Sequence, residues 1–215
     1  DLNLEQNQLS SIQGIESLSS LVILRLSSNR LDASHPAKNL SFGKFIGKLT
    51  HLEILTLDSN HISSIPALQL YKLPNLRVLS LRGNDIQKLE GLDGLTQLQE
   101  LLLDKNKIRS IEDKSLSCCP NLRQLHIEEN SLRTLDGFKE LPNLHSLFLG
   151  CNRIIDLAEI EKLTELMRLK EIVLSFNPIA RKSLYRPSLI HKIPSLLFID
   201  GKEVLNEERE RSMLF

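Results

Sequence analysis

Leu76-Arg77-Val78-Leu79-Ser80-Leu81-Arg82-Gly83-Asn84-Asp85-Ile86 reads L-x-x-L-x-L-x-x-N-x-I. One unit later, Leu98-Gln99-Glu100-Leu101-Leu102-Leu103-Asp104-Lys105-Asn106-Lys107-Ile108 repeats the frame. The Asn position recurs at Asn7, Asn29, Asn60, Asn84, Asn106, Asn130, Asn152 and Asn177. A frame that returns eight times in register specifies a stack of like units, each burying its apolar side against its neighbours. Within a unit, L-x-x-L-x-L is a short strand whose alternation sends Leu inward and leaves the x positions outward. The Asn ends the strand. Its amide both donates and accepts, so a buried copy can satisfy backbone groups that leave the ladder, and stacked copies should form a ladder of their own. These Asn residues are structural.

The intervals between them are 22, 31, 24, 22, 24, 22 and 25 residues. Apart from the long second interval, that spacing resembles leucine-rich repeats. The resemblance implies an α/β fold: a right-handed solenoid, or horseshoe, with a concave parallel sheet, about eight repeats and a C-terminal cap. The organisation expected is repeats over 1–177 with an insertion at 32–48, a cap over 178–200, and a charged, helical tail over 201–215. The chain starts at Asp1, inside a repeat, which reads as part of a longer protein and of a larger complex.

Composition narrows the function classes. Lys plus Arg is 27 and Asp plus Glu is 27, for a formal net charge of zero. This argues against a nucleic-acid binder, which carries a basic excess. No apolar run reaches the roughly 18 residues of a membrane span. The cysteines are Cys118, Cys119 and Cys151, an odd number without the paired clusters of secreted disulfide scaffolds, so a reducing, cytoplasmic setting is expected. The sequon Asn39-Leu40-Ser41 is then chance.

Between strands the returns differ. Ile86–Leu95 and Leu132–Phe138 are short and should close in 3₁₀-like turns. Ile111–Pro120 and Ile154–Leu166 have room for one or two helical turns. Ile160, Leu163, Leu166 and Met167 are spaced as a convex helix face. The insertion 32–48 holds Phe42, Phe45 and Ile46. It is either a longer convex crossing packed on the solenoid or an interaction loop.

The last segment departs from the frame. Tyr185, Arg186, Leu189, Ile190, Ile193, Pro194, Leu196, Ile199 and Asp200 resemble the C-terminal cap of intracellular 22-residue leucine-rich repeat proteins. That group includes phosphatase regulatory subunits, the spliceosomal U2 A-prime protein, tubulin-folding cofactors and ciliary proteins. The stretch after Gly201, with Val204 and Glu207-Glu208-Arg209, is most similar to the ciliary branch. The resemblance implies a protein-binding scaffold in a ciliary, axonemal or other cytoskeletal assembly. Its alternatives are a regulatory subunit of an enzyme such as a type-one protein phosphatase, and a ribonucleoprotein scaffold.

No catalytic or cofactor motif is present: no Gly-rich phosphate loop, no H-E-x-x-H and no Cys pair at zinc spacing. The chain is read as a non-enzyme without cofactor or metal. His126, His145 and Cys151 are too far out of register to share an ion. Glu128-Glu129 lacks a cleft, so the shifted pKa of an acid–base pair is not expected. Function is placed instead on the outward strand positions. One column reads Ile23, Ile54, Val78, Glu100, Gln124, Ser146, Glu171; the next reads Asn3, Arg25, Thr56, Ser80, Leu102, His126, Phe148, Val173. Ladder neighbours touch, so an apolar stripe should run from Ile23, Ile54 and Val78 across to Leu102, His126, Phe148 and Val173, ending near Phe176. Arg82 on its charged rim and Phe148 are the best anchors for a protein partner.

Overall fold

A computed structural model describes residues 1–31 and 42–213. Ten short strands follow one another in a single sheet: β1 (Leu2–Asn3), β2 (Ile23–Arg25), β3 (Ile54–Thr56), β4 (Val78–Ser80), β5 (Glu100–Leu102), β6 (Gln124–His126), β7 (Ser146–Phe148), β8 (Glu171–Val173), β9 (Phe198–Ile199) and β10 (Lys202–Glu203). All neighbours are parallel except β10, which turns back antiparallel on β9. The sheet is open, and the chain folds as the α/β solenoid its repeats specify.

Each strand is only two or three residues long because the frame leaves only the middle of L-x-x-L-x-L in ladder geometry. Leu76, Leu79 and Leu81, and their counterparts Leu98, Leu101 and Leu103, are fully buried in one continuous core. At about 25 cal/mol per Å² of apolar surface, this burial is the main stabilising term.

The Asn residues join one repeat to the next. Asn106 Nδ2 donates to the carbonyls of Leu103 in its own repeat (3.0 Å) and Leu81 in the repeat before (2.9 Å). Its Oδ1 accepts from the Ile86 amide at 3.1 Å. Asn29, Asn60, Asn84, Asn152 and Asn177 repeat the same three bonds. The expected ladder therefore runs from side chain to backbone across each repeat boundary, rather than from Asn to Asn. Asn7 is exposed and bonds only locally, to the carbonyls of Leu4 and Glu5. The residue before each Asn is left-handed: Gln6, Ser28, Ser59, Gly83, Lys105, Glu129, Cys151 and Phe176 have φ between 51° and 63°. Seven of the eight are not glycine, so the turn is held against a backbone cost of about 1 kcal/mol per site.

The returns follow the sequence reading in part. Residues 86–95 close in a tight turn at Asp93-Gly94, the Leu95 amide donating to the Leu92 carbonyl at 3.1 Å, with Gly91 and Gly94 at φ of 78° and 80°; 132–138 turns at Asp136-Gly137. A Cβ on Gly91 would lie 2.6 Å from the Pro66 nitrogen, so the absence of a side chain lets adjacent returns press together. Residues 111–120 are successive turns rather than helix. Leu157–Leu163 is a 3₁₀ helix, and Met167 is 79% exposed. Ile160, Leu163 and Leu166 are all buried. Their period is 3, the residues per turn of a 3₁₀ helix, and a 3.6 period wrongly added Met167. Part of the insertion, 32–41, lies outside the described residues. Residues 42–46 are helical, Phe42 and Ile46 are buried, and Phe45 packs against the core.

At the C-terminal end, helix α1 (Tyr185–Lys192) packs against α2 (Asn206–Ser212). Asp200 closes the ladder. Its Oδ1 accepts from the Leu174 and Ser175 amides, both at 2.8 Å, where a continuing strand would have offered a carbonyl. Tyr185 Oη donates to Asp200 Oδ2 at 2.8 Å. Burial and the Asp200 carboxylate both push the Tyr185 phenol pKa up, so it stays a donor. Residues 201–213 include the expected helix and are mostly exposed, yet they are tied to the cap. Arg186 is bidentate to Glu208 (2.7 and 2.9 Å) and also reaches the Ile199 and Glu203 carbonyls. Arg209 donates to the Pro194 and Leu196 carbonyls. Val204 and Ser212 are buried. Cap and tail are one unit, because half of each polar network lies on either side of residue 200.

Asn106→Ala leaves the Ile86 amide without a partner in a buried layer, while the Leu81 and Leu103 carbonyls keep the side-chain donors of Asn84 and Asn130, and is expected to destabilise the chain by about 2 kcal/mol in urea unfolding. Arg186 beside Glu208 lowers that carboxyl pKa to about 2 from an ordinary 4.5. The depressed folded-state value means a stabilisation present above about pH 4.5 and lost as pH falls toward 2. Glu208→Gln should lower the melting temperature at pH 7 and flatten its decline between pH 5 and pH 2.

Candidate binding face

The outward strand positions form columns whose register the sheet makes explicit. Ile23, Ile54, Val78, Glu100, Gln124, Ser146 and Glu171 pair in sequence, and Phe198 extends the series beside Glu171. In the adjacent column Asn3, Arg25, Thr56, Ser80, Leu102, His126, Phe148 and Val173 pair likewise. Ile23, Ile54 and Val78 are half-buried by their ladder neighbours, as are Phe148 and Val173.

Two of the expected stripe residues behave differently. Leu102 is only 7% exposed, walled in between Ser80 and His126. It supports the surface more than it offers an anchor. Phe176 is 84% exposed, but it sits in the left-handed turn after β8 and not on the sheet. The apolar surface is therefore two patches: Ile23–Ile54–Val78 in one column, and Phe148–Val173 over Leu102 in the other.

His126 joins the second patch to the rim. Its ring stacks on Phe148 with centroids 4.2 Å apart and planes 18° from parallel. Its Nε2 is buried without a hydrogen-bond partner. Burial lowers the His126 pKa below 6.5, against the opposing pull of Asp104. The ring is thus neutral and part of the apolar surface at pH 7.

A third column, after the last Leu of each frame, carries charge in a connected relay. Asp58 Oδ1 accepts from Ser80 Oγ (2.5 Å) and the Arg82 amide (2.8 Å). Arg82 Nε donates to Asp104 Oδ2 at 2.8 Å, and Asp104 Oδ1 accepts from the Glu128 amide at 2.8 Å. Arg82 is therefore half-committed inside the protein. The repeat period, 24 and then 22 residues, sets Asp58, Arg82 and Asp104 side by side on the rim; that they bond one another is decided by the folded side chains. Arg77 pairs with Glu53 at 3.7 Å.

Glu128 does have a raised pKa, contrary to the sequence expectation. Burial is the main cause, followed by repulsion from Asp104 and Glu129. Its Oε1 lies where a Cβ on Gly150 would stand, 2.5 Å from that point, so the glycine makes room for the carboxylate. Glu129 instead turns outward to Lys105 at 3.6 Å. The two carboxylates do not converge on a cleft. Among the described residues no three His, Cys, Asp or Glu side chains could hold a metal, and no helix is long and apolar enough to cross a membrane. Cys119 is buried beside half-buried Cys118, and Cys151 is exposed.

Comparison with known proteins agrees with this geometry. A family model described as leucine rich repeat matches residues 50–108 and 96–154, and a second, also of leucine-rich repeat type, matches 132–215. The U2 small nuclear ribonucleoprotein A′ of Emericella nidulans is 39% identical over 59 residues, covering 27% of this chain and 26% of that protein. The human leucine-rich repeats and immunoglobulin-like domains protein 3 is 35% identical over 91 residues, 42% of this chain and 8% of that protein. The match thus spans about a quarter or less of these relatives. The crystal structure of internalin C2 from Listeria monocytogenes superposes with a TM-score of 0.72 at 28% identity, over 92% of this chain and 78% of that one.

Because the folded-state pKa of His126 is depressed, its stabilising contribution is complete above about pH 6.5 and is lost as pH falls below it. NMR titration should place its midpoint below 6.5. His126→Phe, which keeps the stack and removes the proton site, should weaken the drop in melting temperature between pH 7 and pH 5.

Proposed function

Since this chain belongs to the leucine-rich repeat proteins, we propose that it is a non-catalytic scaffold that grips a segment of a protein partner along the concave sheet. The observation that carries this reading is the stacked His126–Phe148 pair with Val173 beside it, an apolar surface on outward positions where the repeat demands none. Glu100, Asp104, Glu128 and Glu171 border it, so the segment it suits has an apolar anchor flanked by cationic side chains. A sheet held by interlocked repeats loses little entropy on association, which favours affinity from few contacts.

The finer placing within this proposal is the intracellular 22-residue subclass, in the cytoplasm and in a ciliary or axonemal assembly. The cap residues Tyr185, Arg186 and Asp200 support the subclass by their resemblance. A second reading, a protein component of a ribonucleoprotein, is favoured by the similarity to the U2 small nuclear ribonucleoprotein A′.

Affinity capture with the 215-residue chain from extracts of ciliated cells, read by mass spectrometry, separates the two. The proposal expects axonemal or cytoskeletal proteins, reduced at least about fivefold by Phe148→Ala with Val173→Ser, while Met167→Ser on the convex side has no effect. Recovery of small nuclear ribonucleoprotein proteins would favour the second reading. Capture that ignores the Phe148 and Val173 substitutions would remove the concave patch as the contact.

A further inference from the structure

Beyond the C-terminal ends of the strands, the segments that follow the ladder Asn residues form an edge of the solenoid separate from the concave sheet. On it Arg109, Arg133 and Arg153, with Ser131, line a depression of about 430 Å³. Backbone bonds set their proximity. The Ser131 amide donates to the Ile108 carbonyl at 2.9 Å, which places Ser131 beside Arg109. The Arg153 amide donates to the Leu132 carbonyl at 2.8 Å, which places Arg153 beside Arg133. Three consecutive repeats thus contribute one guanidinium each. At the position after the Asn, the flanking repeats carry Lys107 and Arg153; Ser131, between them, is small and leaves the space open.

Nearby cations are neutralised. Lys107 pairs with Asp85 at 2.5 Å, Lys105 with Glu129 at 3.6 Å and Lys182 with Asp156 at 3.9 Å. None of the three arginines has a carboxylate within 4.0 Å among the described residues. Like charges held together cost stability unless an anion meets them. Guanidinium groups match the oxygens of a phosphate through paired, charge-assisted hydrogen bonds.

We propose that this edge is a binding site for a phosphorylated side chain on a protein partner. A phosphorylated side chain with the peptide residues that flank it suits a depression of this size, and one phosphate group suits a triad confined to three repeats. A nucleic-acid strand would need a basic track and stacking aromatics. The chain is neutral overall, and the lining of the depression holds no aromatic residue. Phosphate recognition by clustered arginines is a recurring mode of peptide binding.

The test retains the 215-residue chain on beads and offers a degenerate peptide library with one fixed phosphoserine, the same library with serine, and a mixed-sequence single-stranded RNA. The expected result is selective enrichment of the phosphoserine library, reduced about tenfold or more by Arg133→Gln and abolished when Arg109 and Arg153 are also changed to Gln. Lys139→Gln, outside the lining of the depression, and Phe148→Ala, in the concave patch, should leave it unchanged, so this outcome is independent of the concave-face reading. Circular dichroism melting checks that each variant stays folded. Equal retention of the two libraries, no retention, or retention indifferent to the arginine changes overturns the proposal. Preferential retention of RNA with a steep salt dependence also overturns it, in favour of a nucleic-acid edge.

Discussion

The structure depends on the three hydrogen bonds of a buried Asn side chain. At the end of each strand the backbone must leave the sheet, and its amide and carbonyl groups lose their ladder partners inside an apolar layer. Unpaired, each would cost about 1–3 kcal/mol. The Asn amide supplies one acceptor and two donors within a volume that fits between repeats. Because one donor and the acceptor reach the preceding repeat, the same bonds that satisfy the turn also clamp two units together. Left-handed residues such as Lys105 and Glu129 are tolerated because this clamp over-determines their conformation.

The clamp also explains the cap. A stack of identical units always leaves one edge with unpaired amides. Here Asp200 does for the last full repeat what a further strand would have done, accepting from Leu174 and Ser175. Tyr185 holds the carboxylate in place, and Arg186 with Glu208 ties helix α2 over it. A carboxylate suits this place because Asp200 stands in for a strand carbonyl and has only to accept.

With the interior committed to stacking, recognition is left to the positions the frame does not use. These fall into separate surfaces. On the sheet, His126 is kept neutral by burial and lies flat on Phe148, so a titratable residue contributes apolar surface. On the rim, Asp58, Arg82 and Asp104 satisfy one another before any partner arrives. Such internal pairing reduces what Arg82 can offer and raises what an unspent arginine can, which is why the edge with Arg109, Arg133 and Arg153 differs in kind.

The sequence by itself determined the fold, the number of repeats and the two concave columns. These follow from a fixed period acting on a chain whose side chains alternate, so counting from the Asn places every outward residue in its row. It also determined the roles of Tyr185 and Asp200 as parts of a cap. Only the tertiary structure decided how each outward residue is surrounded. Leu102 and Phe148 stand in the same column, yet neighbours cover one and leave the other half-open. The period of 3 in Ile160, Leu163 and Leu166 was legible as apolar spacing, but the packing of the return selected a 3₁₀ helix and left Met167 outside. Arg186 reaching Glu208 and Asp58 meeting Arg82 are contacts between segments distant in sequence. They depend on rotamers and burial, which no one-dimensional period records.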